Sequence, residues 1–224
     1  MSGLADNLAR VQERMAAAAA RAGRAPGAVQ LVAVTKGWGS EVVQGLWDLG
    51  LRDFGESRVQ EALKKVAVSP AEVRWHLLGP LQENKINKVL PWVFLIQSLD
   101  SLSLARALDR RAQRDGKRLP VLLEVKTSPE PSKHGFQPQE LADAFGDVVR
   151  LPGLEVRGLM TIAPFTAQPK TLRRSFGQAR RLFENLQTEA PELGILSMGM
   201  SQDFEIAIEE GATMVRIGSA LLGK

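Results

Sequence analysis

The sequence contains no cysteine and no tyrosine, and it has only two histidines, His76 and His134, among its 224 residues. Without cysteine there is no disulfide, no thiolate metal site and no cysteine nucleophile, which fits a reducing compartment. Two histidines are too few for the usual zinc sites. No apolar run approaches the roughly 20 residues that cross a bilayer, and no apolar leader begins the chain. We therefore expect a soluble, cytoplasmic protein with no metal site and no membrane partner.

The excess of positive charge is small, with 29 Lys and Arg residues against 25 Asp and Glu residues. The most basic stretches, 106–118 and 173–181, have the spacing of amphipathic helices with a solvated face. We therefore expect no nucleic-acid partner. A module that binds nucleic acid or an acidic protein through these helices is an alternative, which failure to bind DNA and RNA at low salt would exclude.

Short runs rich in Val, Ile and Leu alternate with amphipathic stretches along the chain, and each run is typical of a parallel strand buried on both faces. The predicted strands are 31–36, 53–57, 74–79, 94–99, 121–126, 156–162, 195–199 and 214–219. The predicted helices are 3–22, ahead of the first strand, and then 40–49, 57–66, 83–89, 101–114, 138–149, 171–189 and 201–209. Ser40 and Ser101 stand where N-caps are expected.

This alternation predicts an α/β fold, a single-domain (β/α)₈ TIM barrel over residues 1–224 with an additional N-terminal helix. A doubly wound open sheet is the alternative. The count of eight strands, and the lack of a G-x-G-x-x-G loop after the first strand, favour the barrel.

Lys36 closes the first predicted strand, after three apolar residues. Barrel sites lie at the carboxyl ends of the strands, so this lysine is expected at the barrel mouth. Burial there would lower the pKa of its amine, and a neutral amine condenses with an aldehyde to a Schiff base. The alternative is a strand-end lysine whose ammonium reaches solvent.

Two glycine-containing loops follow the seventh and eighth predicted strands. Gly199, Met200 and Ser201 precede one helix, and Gly218 and Ser219 begin the last helical turn. Barrels often bind phosphate at these loops through backbone N–H groups and hydroxyls. We predict a phosphate site here, with ordinary helix capping by the two serines as the alternative.

Arg216 lies on the eighth predicted strand, two residues before Gly218. A guanidinium stays charged and only donates hydrogen bonds. Aimed at a pyridine nitrogen, it would keep that nitrogen unprotonated and weaken the ring as an electron sink. The alternative is an arginine that lines the barrel and pairs with Glu124 or another carboxylate.

Five separated motifs, AVTK, FGESRVQE, WHLLGPLQENK, MGMSQDFEIAI and VRIGSALLG, together resemble the pyridoxal phosphate homeostasis protein family. That family is a stand-alone version of the barrel domain of alanine racemase, of fold type III among proteins that bind pyridoxal 5′-phosphate (PLP). The resemblance implies a PLP-binding barrel, and it extends from about residue 32 to residue 223.

The resemblance assigns roles to residues of this sequence. Lys36 matches the Schiff-base lysine, Ser201 the phosphate-binding serine, and Arg216 the arginine that faces the pyridine nitrogen, while Gly218 and Ser219 match the phosphate-binding pair. The remaining residues expected at the cofactor from these motifs are Met200, Glu56, Ser57, His76, Gln82 and Met160.

Two motifs depart from the family. Ser57 stands where the family usually has asparagine, and the shorter side chain would leave a gap or admit water near the cofactor. His134 replaces the serine of a KSGF motif, in which Lys133 is retained. A secondary PLP-handling role for Lys133 is a further hypothesis.

Racemisation of an amino acid usually uses two bases, one on each face of the Cα. The resemblance implies that in alanine racemase the second base is a tyrosine from an additional domain, and this chain contains no tyrosine. We therefore predict a non-enzymatic, monomeric protein of PLP homeostasis without catalytic residues, with apo-PLP enzymes as recipients. The alternative is a fold type III racemase or lyase that uses His76 or His134 as the second base.

Overall fold

The computed structural model describes residues 2–130 and 134–223 of the chain. Its centre is a closed barrel of eight parallel strands in sequential order, in which β1 pairs with β8. The strands are β1 Gln30–Val34, β2 Asp53–Glu56, β3 Arg74–Leu77, β4 Val93–Leu99, β5 Leu119–Glu124, β6 Leu154–Met160, β7 Ile195–Ser197 and β8 Met214–Ile217. The predicted barrel is confirmed, and closure excludes the open sheet.

Helices follow the strands and surround the barrel. They are α1 Ser2–Arg21, α2 Ser40–Asp48, α3 Val59–Val66, α4 Ile86–Val89, α5 Leu102–Arg114, α6 Leu141–Val149, α7 Pro169–Glu189, α8 Phe204–Glu209 and α9 Ser219–Leu222, with one turn of 3-10 helix at Glu83–Lys85. Within the described ranges no helix is both long and apolar enough to span a membrane.

The sequence located every strand but extended seven of the eight by one or two residues at the carboxyl end. The first strand ends at Val34, not at Lys36. Polar residues that follow the last ladder pair belong to the loops of the barrel mouth, where the backbone turns toward the next helix. The residues by which the predicted strands are longer than the observed strands are therefore residues of the barrel mouth.

The two predicted N-caps have different outcomes. Ser101 caps α5, since its Oγ accepts a hydrogen bond from the N–H of Leu104 at 3.4 Å. Ser40 is not a cap: it is the first residue of α2, and Gly39 precedes it in extended backbone without a side-chain cap. A serine before an apolar helical pattern can occupy either position, and the sequence does not separate them.

Two layers of apolar side chains follow from the alternation of strand residues. Outward-facing residues pack against the helices and form the main core. Inside the barrel, a smaller cluster contains Val32, Leu95, Leu122, Met160 and Met214. The remaining interior positions are largely polar, and some of these polar side chains contact residues of the site described next.

Candidate functional site

A cavity of about 390 Å³ opens at the carboxyl ends of the strands, where barrel sites are found. Its wall is made by residues at or just beyond the carboxyl ends of β1, β2, β3, β6, β7 and β8. The lining residues are Val34, Lys36, Ser57, Leu78, Ile162, Ala163, Pro164, Phe165, Thr166, Met200, Ser201, Gln202, Asp203, Arg216, Gly218 and Ser219. The structure therefore brings seven of the predicted site residues to one cavity: Lys36, Ser57, Met200, Ser201, Arg216, Gly218 and Ser219.

Lys36 lies two residues beyond the end of β1 and lines the cavity with an exposed side chain. The expectation that it is buried is wrong, because the loop carries it past the last strand pairs into the open mouth. Its neighbours are anchored: Gly37 has a φ of +76° and donates its N–H to Glu61 Oε2 at 3.3 Å. The amine is thus accessible on a fixed stretch of backbone.

Ser201 joins the loops after β7 and β8. Its Oγ accepts hydrogen bonds from the N–H groups of Gly218 and Ala220, each at 3.2 Å. With its lone pairs so engaged, the hydroxyl hydrogen is left to donate. The two backbone N–H groups therefore fix the position of Ser201, and its hydroxyl is a donor for an anion such as phosphate at this end of the cavity.

Asp203 fixes the loop that presents Ser201. Its Oδ1 accepts the N–H of Met200 at 2.6 Å. Burial raises the pKa of Asp203, while the Met200 N–H and the positive charge of Arg216 oppose that shift. The side chain acts here as a brace for the backbone of the loop.

Arg216 is buried in the cavity floor. Its Nη1 donates to Ser197 Oγ at 2.7 Å and its Nη2 to the carbonyl of Thr161 at 2.9 Å. Burial lowers the pKa of Arg216 to about 10, against the negative charges of Glu124 and Asp203. The guanidinium therefore stays charged at neutral pH and remains a donor.

Three predicted residues, Glu56, His76 and Met160, do not line the cavity. All three are fully buried. Met160 belongs to the apolar cluster inside the barrel. The predicted Gln82 is exposed and also lies away from the lining. Neighbouring residues of a strand point to opposite sides and different depths, so membership of a motif did not place each side chain at the cavity.

Glu56 instead contacts Thr35, the residue that follows the end of β1. Its Oε1 accepts from Thr35 Oγ1 at 2.6 Å and pairs with the buried ammonium of Lys65 on α3. Lys65 also donates to the carbonyl of Thr35 at 2.6 Å. This buried ion pair therefore holds the residue that immediately precedes Lys36. Lys65 was not predicted, because its role depends on where α3 packs.

His76 is enclosed within the barrel. Its Nε2 lies 3.0 Å from Asp53 Oδ1 and its Nδ1 2.9 Å from Gln97 Nε2. Burial lowers the pKa of His76, opposed by Asp53. Burial acts to raise the pKa of Asp53, but hydrogen bonds from His76, Arg74 and Gln30 lower it to about 2. Burial therefore favours the neutral ring of His76, and this histidine does not line the cavity.

The other histidine is at the surface. His134 is exposed, its Nδ1 lies 3.7 Å from Asp100 Oδ2, and it does not line the cavity. Lys133 lies outside the described residues. Within the described ranges, no group of three or more His, Asp or Glu side chains is arranged to hold a metal ion.

The loop after β6 lines the cavity with apolar residues, which a prediction based on polar groups does not identify. Ile162, Ala163, Pro164 and Phe165 supply an apolar wall of the cavity, and Phe165 is 81% exposed. Its N–H donates to Glu130 Oε1 at 3.0 Å. An apolar run that continues beyond a strand into a proline-containing loop was the available signal.

Comparison with known proteins agrees with this architecture. The alanine racemase N-terminal domain family matches residues 6–224. The pyridoxal phosphate homeostasis protein of Aquifex aeolicus is 42% identical over 221 residues, which cover 98% of this chain and 97% of that protein. The protein of the same name from Pseudomonas aeruginosa is 41% identical over 224 residues, covering 100% and 96%.

Solved structures extend the comparison. PipY of Synechococcus elongatus, whose structure has PLP bound, superimposes with a TM-score of 0.85 at 37% identity, covering 98% of this chain and all of that one. Alanine racemase of Clostridium difficile superimposes with a TM-score of 0.80 at 15% identity, covering all of this chain and 57% of the racemase. At that identity the racemase shows a shared fold only.

Proposed function

Because the chain belongs to the pyridoxal phosphate homeostasis protein family, within the alanine racemase N-terminal domain family, we propose that it binds PLP in the cavity at the barrel mouth and serves PLP homeostasis. The observation that carries the proposal is the meeting of Lys36, Ser201 and Arg216 around one cavity.

The residues of the cavity match PLP group by group. PLP presents an aldehyde, a phosphate and a pyridine nitrogen, and the cavity offers an accessible amine, the hydroxyl of Ser201 held by two backbone N–H groups, and a charged guanidinium. A volume of about 390 Å³ is within the range of pockets that hold small cofactors. When bound, PLP supplies a reactive aldehyde and an electron-withdrawing ring.

Each group has a distinct task in this proposal. Lys36 holds the cofactor as a Schiff base, and Ser201, Gly218 and Ser219, with Met200 beside them, hold the phosphate. Arg216 donates to the pyridine nitrogen. Since the guanidinium stays charged at neutral pH, it keeps that nitrogen unprotonated. Ser57 lines the wall beside Lys36.

The proposed role is to hold and release PLP, not to turn over an amino acid. The chain has no tyrosine, and neither His76 nor His134 lines the cavity. Among the described lining residues, Lys36 is the one amine available as a base, and racemisation usually needs a second base on the opposite face. A racemase or lyase is the competing function, and it predicts turnover that depends on Lys36.

The first test is the absorbance spectrum of the purified protein with added PLP. We expect a band near ~420 nm that disappears in Lys36→Ala, as for a Schiff base. Lys126→Ala is a matched control, because Lys126 also lies two residues beyond a strand end, that of β5, but does not line the cavity. Absence of the band in the unaltered protein would refute the proposal.

A second measurement separates carrier from enzyme. PLP-loaded protein is incubated with a panel of L-amino acids, and the chirality and identity of the products are analysed over hours. We expect no Lys36-dependent turnover at enzyme-like rates. Such turnover would replace the carrier role with that of a racemase or lyase.

The remaining parts of the proposal concern the cell. We propose a cytoplasmic monomer that passes PLP to apo-PLP enzymes. Light scattering coupled to size-exclusion chromatography tests the monomer. Reactivation of an apo-PLP enzyme by the loaded protein, faster than by free PLP at the same concentration, tests the transfer.

A further inference from the structure

A continuous line of buried hydrogen bonds crosses the inside of the barrel and ends on Arg216. From the cavity inward, Arg216 Nη1 lies 2.7 Å from Ser197 Oγ, and Ser197 Oγ lies 2.6 Å from Gln97 Oε1. Gln97 Nε2 lies 2.9 Å from His76 Nδ1, and His76 Nε2 lies 3.0 Å from Asp53 Oδ1. Strands β8, β7, β4, β3 and β2 each contribute one member of this interior chain.

The interior chain is closed at its far end by Arg74. Its Nε and Nη2 donate to the two carboxylate oxygens of Asp53 at 2.9 and 2.6 Å. Arg74 is partly exposed, whereas the other five members are buried. The chain thus extends from the solvent at the amino-terminal end of the barrel to the floor of the cavity at the other end.

The direction of every proton in the interior chain follows from its two ends. Arginine only donates, so Ser197 accepts from Arg216 and must donate its own hydrogen to Gln97 Oε1. The Gln97 amide then donates to His76 Nδ1, and its second hydrogen is directed at Met214 Sδ at 3.2 Å. His76 therefore carries its hydrogen on Nε2 and donates it to Asp53.

We propose that Gln97 and Ser197 are positioning residues that aim Arg216 at the pyridine nitrogen of PLP, an inference that rests on the PLP site described above. Arg216 has five N–H donors on a flexible side chain. Ser197 and the Thr161 carbonyl occupy two of them and set the plane of the guanidinium. Gln97 in turn keeps the Ser197 hydroxyl from donating elsewhere.

The apolar surroundings of the interior chain make the loss of any of its hydrogen bonds energetically unfavourable. Apolar residues of the inner cluster, Leu95, Leu122, Met160 and Met214, pack beside the interior chain. A buried polar group that loses its hydrogen-bond partner there is destabilised by its full desolvation free energy. Loss of one hydrogen bond of the interior chain is therefore expected to shift the neighbouring side chains. Gln97 does not line the cavity, yet its removal would leave His76 Nδ1 without its donor and the Ser197 hydroxyl hydrogen without its acceptor.

The test uses full-length protein loaded with PLP that carries ¹⁵N in the pyridine ring. The ring-nitrogen chemical shift reports the hydrogen bond from Arg216, and Arg216→Met defines the shift when that bond is absent. We expect Gln97→Met and Ser197→Ala to move the shift toward the Arg216→Met value and to raise the PLP dissociation constant about 10-fold. Ser197→Thr, which keeps the hydroxyl, is expected to restore both readouts.

Ser98→Ala is the matched control, because Ser98 is a buried serine next to Gln97 that donates to the Gly79 carbonyl and stands outside the interior chain. Circular dichroism and thermal unfolding of the apo proteins establish folding, and Ser197→Ala replaces Gln97→Met if the latter fails to fold. A ring-nitrogen shift that stays at the unaltered value in folded Gln97→Met and Ser197→Ala overturns the positioning role.

The possible results distinguish failure of this positioning role from failure of the proposed PLP site on which it rests. If the Lys36-dependent band never forms, the PLP site itself fails. If the band forms but Arg216→Met leaves the ring-nitrogen shift unchanged, PLP binding stands and Arg216 does not face the ring nitrogen. The positioning role of Gln97 and Ser197 is then refuted as well.

Discussion

At the scale of single residues, the buried pair of Lys65 and Glu56 is the least expected feature. Two charges lie within the fold, next to Thr35, and Glu56 Oε2 has no hydrogen-bond partner among the described residues. Removing one member of a buried pair leaves the other as an uncompensated charge. The pair therefore matters for stability and for the position of Lys36.

We expect Lys65→Met to lower the free energy of unfolding by about 3–5 kcal/mol, because Glu56 is left buried without its counter-charge. Urea denaturation measures the change. Arg58→Ala is the control: it removes an exposed pair with Glu61 at 3.1 Å and should cost no more than about 1 kcal/mol. Equal losses in the two variants would contradict the assignment.

His76 and Asp53 should make the protein sensitive to acid. The pKa of His76 is lowered in the folded protein, so the unfolded chain takes up a proton first as the pH falls below about 6.5. The pKa of Asp53 is lowered to about 2, so its contribution is present above its unfolded pKa of about 4 and is lost as the pH falls toward 2. Both groups make stability decline as the pH falls.

We therefore expect the free energy of unfolding to fall between pH 7 and pH 5 with a slope that His76→Asn reduces, since asparagine does not titrate. Denaturation midpoints at several pH values check this. His134→Asn, at the exposed histidine, is the control and should leave the slope nearly unchanged. An unaltered slope in His76→Asn would show that burial of this ring does not govern acid stability.

At the scale of secondary-structure elements, the two serines near helix starts give a matched comparison. Ser101 caps α5 through its side chain, whereas Ser40 lies within the first turn of α2. We expect Ser101→Ala to destabilise by about 1 kcal/mol and Ser40→Ala by clearly less. Thermal or urea unfolding of both variants measures the difference, and a larger cost at Ser40 would contradict the assigned caps.

Gly158 allows β6 and β7 to pair closely. It has a φ of +150°, and a Cβ there would lie 1.8 Å from the backbone oxygen of Ile195. We expect Gly158→Ala to prevent correct closure of the barrel and to give little soluble protein. Gly50→Ala is the control, because Gly50 also has a positive φ, +93°, but open space around it. It should cost about 1 kcal/mol from backbone strain alone.

At the scale of the whole molecule, the closed barrel should unfold as one cooperative unit. Each strand pairs with two neighbours, and α1 packs on α2, α8 and α9, which ties the chain's beginning to its end. Arg14, for example, pairs with Glu205 at 3.0 Å. A single domain over residues 1–224 remains our proposal, and calorimetry that resolves two independent transitions would contradict it.

PLP should stabilise this unit by mass action. At a free concentration 100 times the dissociation constant, the gain is about 2.7 kcal/mol, provided that the unfolded chain does not bind. We expect the melting temperature to rise with PLP concentration in the unaltered protein and in Lys126→Ala, and to rise far less in Lys36→Ala. A shift of equal size in Lys36→Ala would show that the Schiff base adds little to affinity.

The sequence by itself determined the eight alternating units and the loops that carry Lys36, Ser201 and Gly218. These follow from local patterns: runs of Val, Ile and Leu for buried strands, and glycine and polar residues at their carboxyl ends. The motifs that resemble the family covered the same positions. Whether Lys36 is buried or reaches solvent, and which groups Arg216 contacts, depend on residues that are distant in the sequence. No local sequence pattern specifies those contacts.

Only the tertiary structure decided which side chains meet. Gln97 and Ser197 are 100 residues apart, and Glu56, His76 and Met160 are buried away from the cavity lining although their motifs resemble those of a cofactor site. Barrel closure, register and the depth of each side chain come from the packing of all eight strands at once. Local sequence specifies the strands, but the contacts across the barrel exist only when the barrel is closed.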